Sequence, residues 1–341
     1  MDTMRRQFIG HAGAALAAAW CARGVAQAEP SGDRPAQLPV DPPIDTLRIV
    51  IGFAAGGSGD LLARSVAESL HGTHARTALV DNRIGAGGQL ALQAMKTAPA
   101  DGSTLLLTPS SMLTLFPHTY RQLPYDPLRD VAPVSLACTF DLAFAIGPQI
   151  DASVRTLADF IAWARAHPEQ ANFGSPATGS STHFVGEMLA RAGNLPLRHV
   201  PYRGSRPAIV DLMGGQVAAV CTPLGDMLPH LQAGPIRLLS VCGPRRSRFV
   251  PEVPTFVEQG LKDIVADGWY AFYLPGGAGA QVVQRANAAL RGALDDAQVV
   301  AMLARMGFDP AGSSAAELAA LQRRDTERWG AVVKALGFSA V

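Results

Sequence analysis

Two short stretches rich in glycine and hydroxyl groups carry the residues best able to do chemistry in this chain. The first, Ala54-Ala55-Gly56-Gly57-Ser58-Gly59, follows an apolar, β-branched run at 47–53 and precedes a helical pattern opened by Asp60 and continued by Leu61, Leu62, Val66 and Leu70. The second, Ser175-Pro176-Ala177-Thr178-Gly179-Ser180-Ser181-Thr182-His183, also stands between a strand pattern and a helical one. A strand, a glycine turn and a helix N-terminus leave several backbone N–H groups unpaired and pointing one way. Such an end favours an anion by roughly 0.3–1 kcal/mol when exposed and about 2 when partly buried. Glycine lets a ligand approach the backbone with no Cβ in the way, and hydroxyls add donors. The chemistry on offer is reversible binding of an anion by preorganised dipoles, without Arg or Lys. Each turn also has a plainer reading, as a strand–helix connection, the second closed by an ordinary Ser/Thr cap.

Other chemistries lack their residues. No Lys-Ser/Thr follows the first turn, and Gly56, Gly57 and Gly59 do not satisfy G-x-G-x-x-G, so neither nucleotide fingerprint is met. A secreted serine hydrolase is the enzyme to weigh, but G-x-S-x-G and S-x-x-K are absent, as is H-E-x-x-H. No C-x-x-C or His/Cys cluster points to a metal, and no cofactor is implied; an enzyme is not expected. With a formal net charge of +1 and no basic block, nucleic acid is not an expected partner. A hydrophobic fraction of 48% and a charged fraction of 17% over 341 residues suit a compact chain of two ordinary domains.

The N-terminus reads as an export signal at 1–28. Arg5-Arg6 precede an Ala-rich apolar run at 12–20, and Ala26-Gln27-Ala28 offers a small-x-small cleavage site; the paired arginines lean towards the twin-arginine route. A lipoprotein signal through Cys21 is the alternative, which bulky Trp20 fits poorly. The expected mature chain is close to neutral, soluble and outside the cytoplasm. It keeps Cys138, Cys221 and Cys242, an odd number that leaves at least one thiol unpaired. Each lies in an apolar run and is expected as a buried thiol, with a Cys221–Cys242 bridge as an alternative.

These turns need elements to hold them. A Pro-rich leader at 29–45 precedes strands expected at 47–53, 77–81 and 104–109, with helices near 59–71 and 88–97. A second alternating series follows: strands at 142–146, 172–174, 198–200, 217–222 and 237–242, helices near 156–167, 181–193, 205–214 and 225–233. Helices near 279–294, 296–306 and 314–336 close the chain after the aromatic run Trp269-Tyr270-Ala271-Phe272-Tyr273. Such alternation predicts βαβ units in two α/β lobes, with ligands beyond the carboxyl ends of the strands. Gly85, Gly87 and Gly88 read as close-packing glycines, and His183 and His199 as local hydrogen-bonding residues.

Several segments together resemble successive landmarks of the tripartite tricarboxylate transporter substrate-binding family (the TctC/Bug proteins): IVIGFAAGGSGDLLAR, VDNRIGAGGQLA, APADGSTLLL, LPYDPLRDVAPVS, NFGSPATGSSTHFVGEML, HVPYRGSRPAIVDLMGGQV and PEVPTFVEQGL. They occur in order over about 47–338. The resemblance implies a two-lobed periplasmic-binding-protein type II fold, each lobe a mostly parallel sheet flanked by helices, joined by two crossovers. It places domain 1 at 46–138 plus 268–341 and domain 2 at 139–267. It implies a monomeric periplasmic receptor that closes around a small organic carboxylate and delivers it to membrane permease subunits of a tripartite transporter. A sensory receptor reporting to a membrane signalling partner would bind its ligand in the same way.

Carried over by position, the resemblance implies ligand contacts at Ala55, Gly56, Gly57, Ser58 and Asp60, with Ser110 and Ser111 after the third strand, and at Ser175, Thr178, Gly179, Ser180 and Thr182 in the second lobe. Asp60 reads more readily as a cap of its own helix than as a ligand contact, since its charge would repel a carboxylate. Where family members often carry Phe-Asp-Asn, this chain has Cys221-Thr222-Pro223. An acid missing at Thr222 argues against an amino-group-bearing ligand and favours a second carboxylate or a neutral tail. Arg206 reads as a partner for a distal acid or as a solvated residue at a helix start. Trp269 and Tyr270 read as cleft wall or hinge packing.

Overall fold

The computed structural model describes residues 43–232 and 234–338; the export signal and most of the Pro-rich leader lie outside the described residues. In chain order the elements are β1 (Ile44–Ile51), α1 (Ser58–Leu70), β2 (Ala75–Asn82), α2 (Gln89–Met95), β3 (Thr104–Pro109), α3 (Ser111–Thr114), α4 (Phe116–Thr119) and β4 (Val131–Ile146). Next come α5 (Leu157–Ala166), β5 (Asn172–Ser175), α6 (Ser181–Gly193), β6 (Arg198–Pro201), α7 (Ser205–Met213), β7 (Ala219–Pro223), α8 (Leu224–Leu231) and β8 (Arg237–Val241). The chain ends with β9 (Asp267–Pro275), α9 (Ala280–Leu294), α10 (Ala297–Arg305), β10 (Phe308–Pro310) and α11 (Ala315–Leu336).

The strands run in the order β2-β1-β3-β9-β4-β7-β5-β6, with β10 and β8 also on β4. Each flank is a parallel α/β unit: β2, β1 and β3 on one side, β6, β5 and β7 on the other. Antiparallel β9 and β4 join them. β4 pairs with β9 from Val131↔Pro275 to Asp141↔Asp267, then gives Leu142–Ile146 to β7 and β8. Register shifts between Pro133 and Ser135 and between Leu136 and Cys138 let this long strand curl from one flank into the other.

The elements follow from local sequence. α1 buries Leu62, Ala63, Val66, Ala67 and Leu70, a stripe at helical spacing, and packs on β2, α9 and α10. Capping boxes start α5 (Thr156 with Asp159) and α11 (Ser314 with Glu317). One apolar core runs through both flanks, from Leu47 and Val66 through Phe140 and Phe144 to Phe173 and Phe184. Cys138, Cys221 and Cys242 are buried free thiols, so the Cys221–Cys242 bridge is not formed.

Several strands differ from the sequence expectation, and β10 (Phe308–Pro310) was not expected. β1 starts at Ile44 because Ile44 pairs with Ala75 of β2. The first part of β4 and the aromatic run of β9 form the central strand pair, whose partners are remote in sequence.

α8 and the end of α10 meet where Gly225 faces Met306: a Cβ at 225 would overlap the Met306 carbonyl oxygen. Gly225→Ala is therefore expected to destabilise the fold by about 1–3 kcal/mol, the range for overpacking. Thermal and denaturant unfolding check this; an unchanged midpoint would mean that the two helices do not touch there.

Candidate functional site

Six chain segments end at one cavity of about 60 Å³, four to six times the 10–15 Å³ that one water needs. Its walls are the turn after β1 (Phe53, Ala54, Gly57) with the start of α1 (Ser58, Gly59, Asp60), and the end of β3 with α3 (Pro109, Ser110, Ser111, Met112). Opposite lie the turn after β5 (Pro176, Ala177, Ser180) with the start of α6 (Ser181, Thr182), and the turn after β6 with the start of α7 (Gly204, Ser205, Arg206). Pro223 and Asp226 follow β7, and Tyr270 comes from β9. Both glycine turns thus border a shared crevice at the carboxyl ends of parallel strands.

The first turn is held by Asp60. Its buried carboxylate accepts the Gly56 N–H at 3.0 Å, Arg64 Nε at 2.9 Å and the Asn82 amide at 2.9 Å. Burial alone would raise its pKa, but the hydrogen bonds from Arg64, Gly56 and Asn82 outweigh that and hold it below the usual carboxylate value. Asp60 borders the cavity with its lone pairs already committed to the turn, the capping role weighed from the sequence. Gly56 itself, at φ +83, faces outward, and the space its Cβ would fill holds the Arg206 guanidinium.

The second turn saturates itself. Ser180 caps α6: its hydroxyl accepts the His183 N–H at 3.3 Å, donates to the Ala177 carbonyl at 2.7 Å and lies 2.8 Å from the Thr182 hydroxyl. His183 Nδ1 accepts the Gly179 N–H at 3.0 Å, and its ring stacks on His199 with centroids 3.7 Å apart. The Ser111 hydroxyl bridges the two sides, accepting the Ser181 N–H at 3.1 Å and lying 3.0 Å from Ser181 Oγ. Beyond these contacts, the first-turn amides of α1 and α6 have no intrahelical acceptor.

Of the residues named from the sequence, Gly57, Ser58, Asp60, Ser110, Ser111, Ser180 and Thr182 line the cavity. Arg206 and Tyr270 border it as well, and the remaining named positions do not reach it. Ala55 and Gly56 are exposed on the outer side of their turn. Ser175 lies beneath the second turn, with its hydroxyl 2.8 Å from His199 Nε2. Thr178 gives its carbonyl to the Tyr120 hydroxyl at 2.8 Å, and Gly179 packs on Thr119 and Tyr120. Thr222 is fully buried and donates to the Pro223 carbonyl at 3.1 Å. Trp269 and Tyr270 divide the two roles offered for them, as neighbours on a strand must: Tyr270 faces the cavity, while Trp269 Nε1 donates to buried Asp325 on α11 at 2.7 Å.

Sequence reasoning missed Ser181, Ser205 and Asp226. Gly204-Ser205 carries the same glycine-then-hydroxyl signature as the two turns and was open to the same reading. Asp226, in the first turn of α8, brings to the cavity a carboxylate that Cys221-Thr222-Pro223 does not supply.

Two groups make stability depend on pH in separate windows. Burial, with the neighbouring His183 ring adding to it, pushes His199 down to about 3 from an unfolded value near 6.5. The unfolded chain therefore binds more protons between about pH 6.5 and 3, and stability falls as pH drops through that range. His199→Gln should flatten this dependence, read from denaturant midpoints between about pH 6.5 and 4; equal slopes would mean that His199 is charged in the folded state. Asp60 acts lower: its depressed value gives stability that is present above about 3.8 and lost as pH falls through the folded value. Asp60→Asn should cost about 1–3 kcal/mol at neutral pH by orphaning donors, and the gap to wild type should shrink below about pH 4.

Comparison with known proteins bears on what this site is for. The family model for the tripartite tricarboxylate transporter family receptor (TctC) matches residues 62–338. Protein BugT of Bordetella pertussis is 32% identical over 300 residues, which is 86% of this chain and 90% of that protein. The solved structure of R. palustris Rpa4515 with adipate superposes with a TM-score of 0.83 at 27% identity, over 88% of this chain and 100% of that one. MatC (Rpa3494) from Rhodopseudomonas palustris with bound malate gives 0.79 at 27% identity, over 85% and 99%. The fold is the α/β architecture of these binding proteins, and the chain belongs to the tripartite tricarboxylate transporter receptor family, a family of solute receptors.

Proposed function

We propose that this protein is a periplasmic solute receptor that captures a small organic carboxylate in the cavity described above and delivers it to the membrane subunits of a tripartite transporter. The observation that carries the reading is the convergence of the first turns of α1 and α6 on one cavity, bordered by Ser58, Ser110, Ser111, Ser180 and Thr182. Amide and hydroxyl donors are what a carboxylate needs, and none of them requires a titrating partner. Relatives of the same fold add support, since solved ones hold adipate and malate.

In this reading the ligand-bearing parts of the chain are 46–138 with 268–341 on one side and 139–267 on the other. The closing motion is a hinge in the β4–β9 region, where the chain passes between them. Release from the export signal at 1–28 frees the mature receptor, and the permease recognises its closed form. No catalytic step is assigned to any residue.

A thermal-shift screen of organic acids against the purified protein tests this, because a ligand that binds only the folded state raises the melting point. At least one acid is expected to bind with a Kd tighter than roughly 10 μM, near −7 kcal/mol. Gly57→Val sharpens the test. Gly57 has an ordinary extended φ of −79, and a Cβ there meets only the Ala54 carbonyl oxygen, 3.7 Å away. The variant should unfold close to wild type without ligand yet lose at least about tenfold in affinity. Undiminished binding would remove the first turn from the site.

A further inference from the structure

A carboxylate of the protein's own already occupies part of this cavity. Asp226 Oδ1 accepts the Ser58 N–H at 3.0 Å, a contact between residues 168 apart in sequence. The Ser205 and Ser58 hydroxyls also hydrogen-bond to it. Ser58 opens α1 and Ser205 opens α7, so Asp226 sits where the N-termini of two helices would draw an anion. Burial pushes the Asp226 carboxyl above its usual range, and the hydrogen bonds from Ser205 and Ser58 pull it back only in part.

The charged groups facing Asp226 are few. Asp60 on α1 is tied up by Gly56, Arg64 and Asn82. Arg206 on α7 lies against Gly56 at the rim and is exposed; among the described residues no carboxylate pairs with it. His230 lies on Asp226's own helix, α8, and Tyr270 comes in from β9. The rest of the wall is largely apolar, with Phe53, Met112, Phe116, Phe140 and Leu142 prominent.

We infer that Asp226 determines the ligand class of this cavity: by claiming the amide end of α1, it leaves room for one ligand carboxylate, on the α6 side, and requires the remainder of the ligand to be neutral and apolar. This rests on reading the cavity as a carboxylate site. The space is small, about 60 Å³, so any ligand that fills it comes close to Asp226. A second ligand carboxylate would meet an anion already placed on the donors it seeks. Like charges in a partly dry site disfavour that pairing strongly, which makes Asp226 a repulsive element against dicarboxylates. A cationic tail gains little, because three donors already engage Asp226 and the apolar walls cannot solvate an ammonium. A neutral hydrocarbon tail matches those walls.

Three acids of one length separate the cases: hexanoate, adipate and 6-aminohexanoate, titrated by calorimetry at about pH 8, well above the usual carboxylate range. Hexanoate is expected to bind wild type at least about tenfold tighter than either of the others, about 1.4 kcal/mol. Asp226→Asn keeps the shape and removes the charge, and should raise adipate affinity at least about fivefold with no matching gain for hexanoate. Adipate or 6-aminohexanoate binding wild type as tightly as hexanoate overturns the inference, and that comparison stands even if the variant fails to fold. An adipate-to-hexanoate ratio unchanged in a folded Asp226→Asn protein also overturns it. Either result with a carboxylate still bound spares the receptor reading; a blank with every acid in the screen removes both.

Discussion

Helix N-termini that point at one another create a shared positive potential, and the cavity is organised by the need to answer it. The first turns of α1, α6 and α7 all end there. The protein answers unequally. On α1 it supplies two carboxylates of its own, Asp60 from within the helix and Asp226 from across the cavity. On α6 it supplies only hydroxyls, from Ser180 and Ser111. A hydroxyl carries no net charge, so the dipole of α6 is left largely uncompensated. Capacity for an external anion is therefore concentrated on one wall, not shared by a symmetric pair of cradles.

The donors are kept in place from behind. Asp60 fixes the first turn with three hydrogen bonds, and the imidazole of His183 fixes the second through the Gly179 N–H. The neighbouring His199 ring, held neutral by burial, closes the layer below. Groups that reorganise little on binding lose little affinity to ordering. Behind both turns, the parallel strands deliver each segment at its carboxyl end, while β4 and β9 tie the two flanks through one continuous sheet.

How much of this the residues disclosed depended on how local the cause was. The strand–turn–helix signature placed α1 and α6 almost to the residue, because apolar spacing, glycine and cap residues act within a few positions. The family resemblance named Gly57, Ser58, Ser180 and Thr182, and all four line the cavity. The resemblance also named Ala55, Thr178 and Gly179, which lie away from the cavity, since which side of a turn faces inward is decided by what packs on it, here Arg206, Tyr120 and Thr119. The first part of β4, with Pro133 and a mixed pattern, gains its strand character from β9 and, at Cys138–Phe140, from β10. Asp226 was invisible for the same reason: its partner Ser58 is remote in the chain.

The contacts that cross the cavity differ in kind from those that cross the spine. Near the cavity, the two sides are joined by Ser111 to Ser181, Tyr120 to Thr178 and Ser58 to Asp226. Each is a hydrogen bond whose net contribution is about 0.5–1.5 kcal/mol, because water can replace it when the sides part. Around β4 the joints are apolar: Phe140 packs on Tyr270 and Phe308, with ring centroids 5.2 Å apart in both cases. Parting those rings would expose hydrocarbon with no compensating partner. The inexpensive motion is thus rotation about the β4–β9 region with exchange of polar contacts at the cavity. On the function proposed above, a ligand carboxylate that satisfies the α6 amides would act on that exchange directly, by favouring the form in which both walls can reach it.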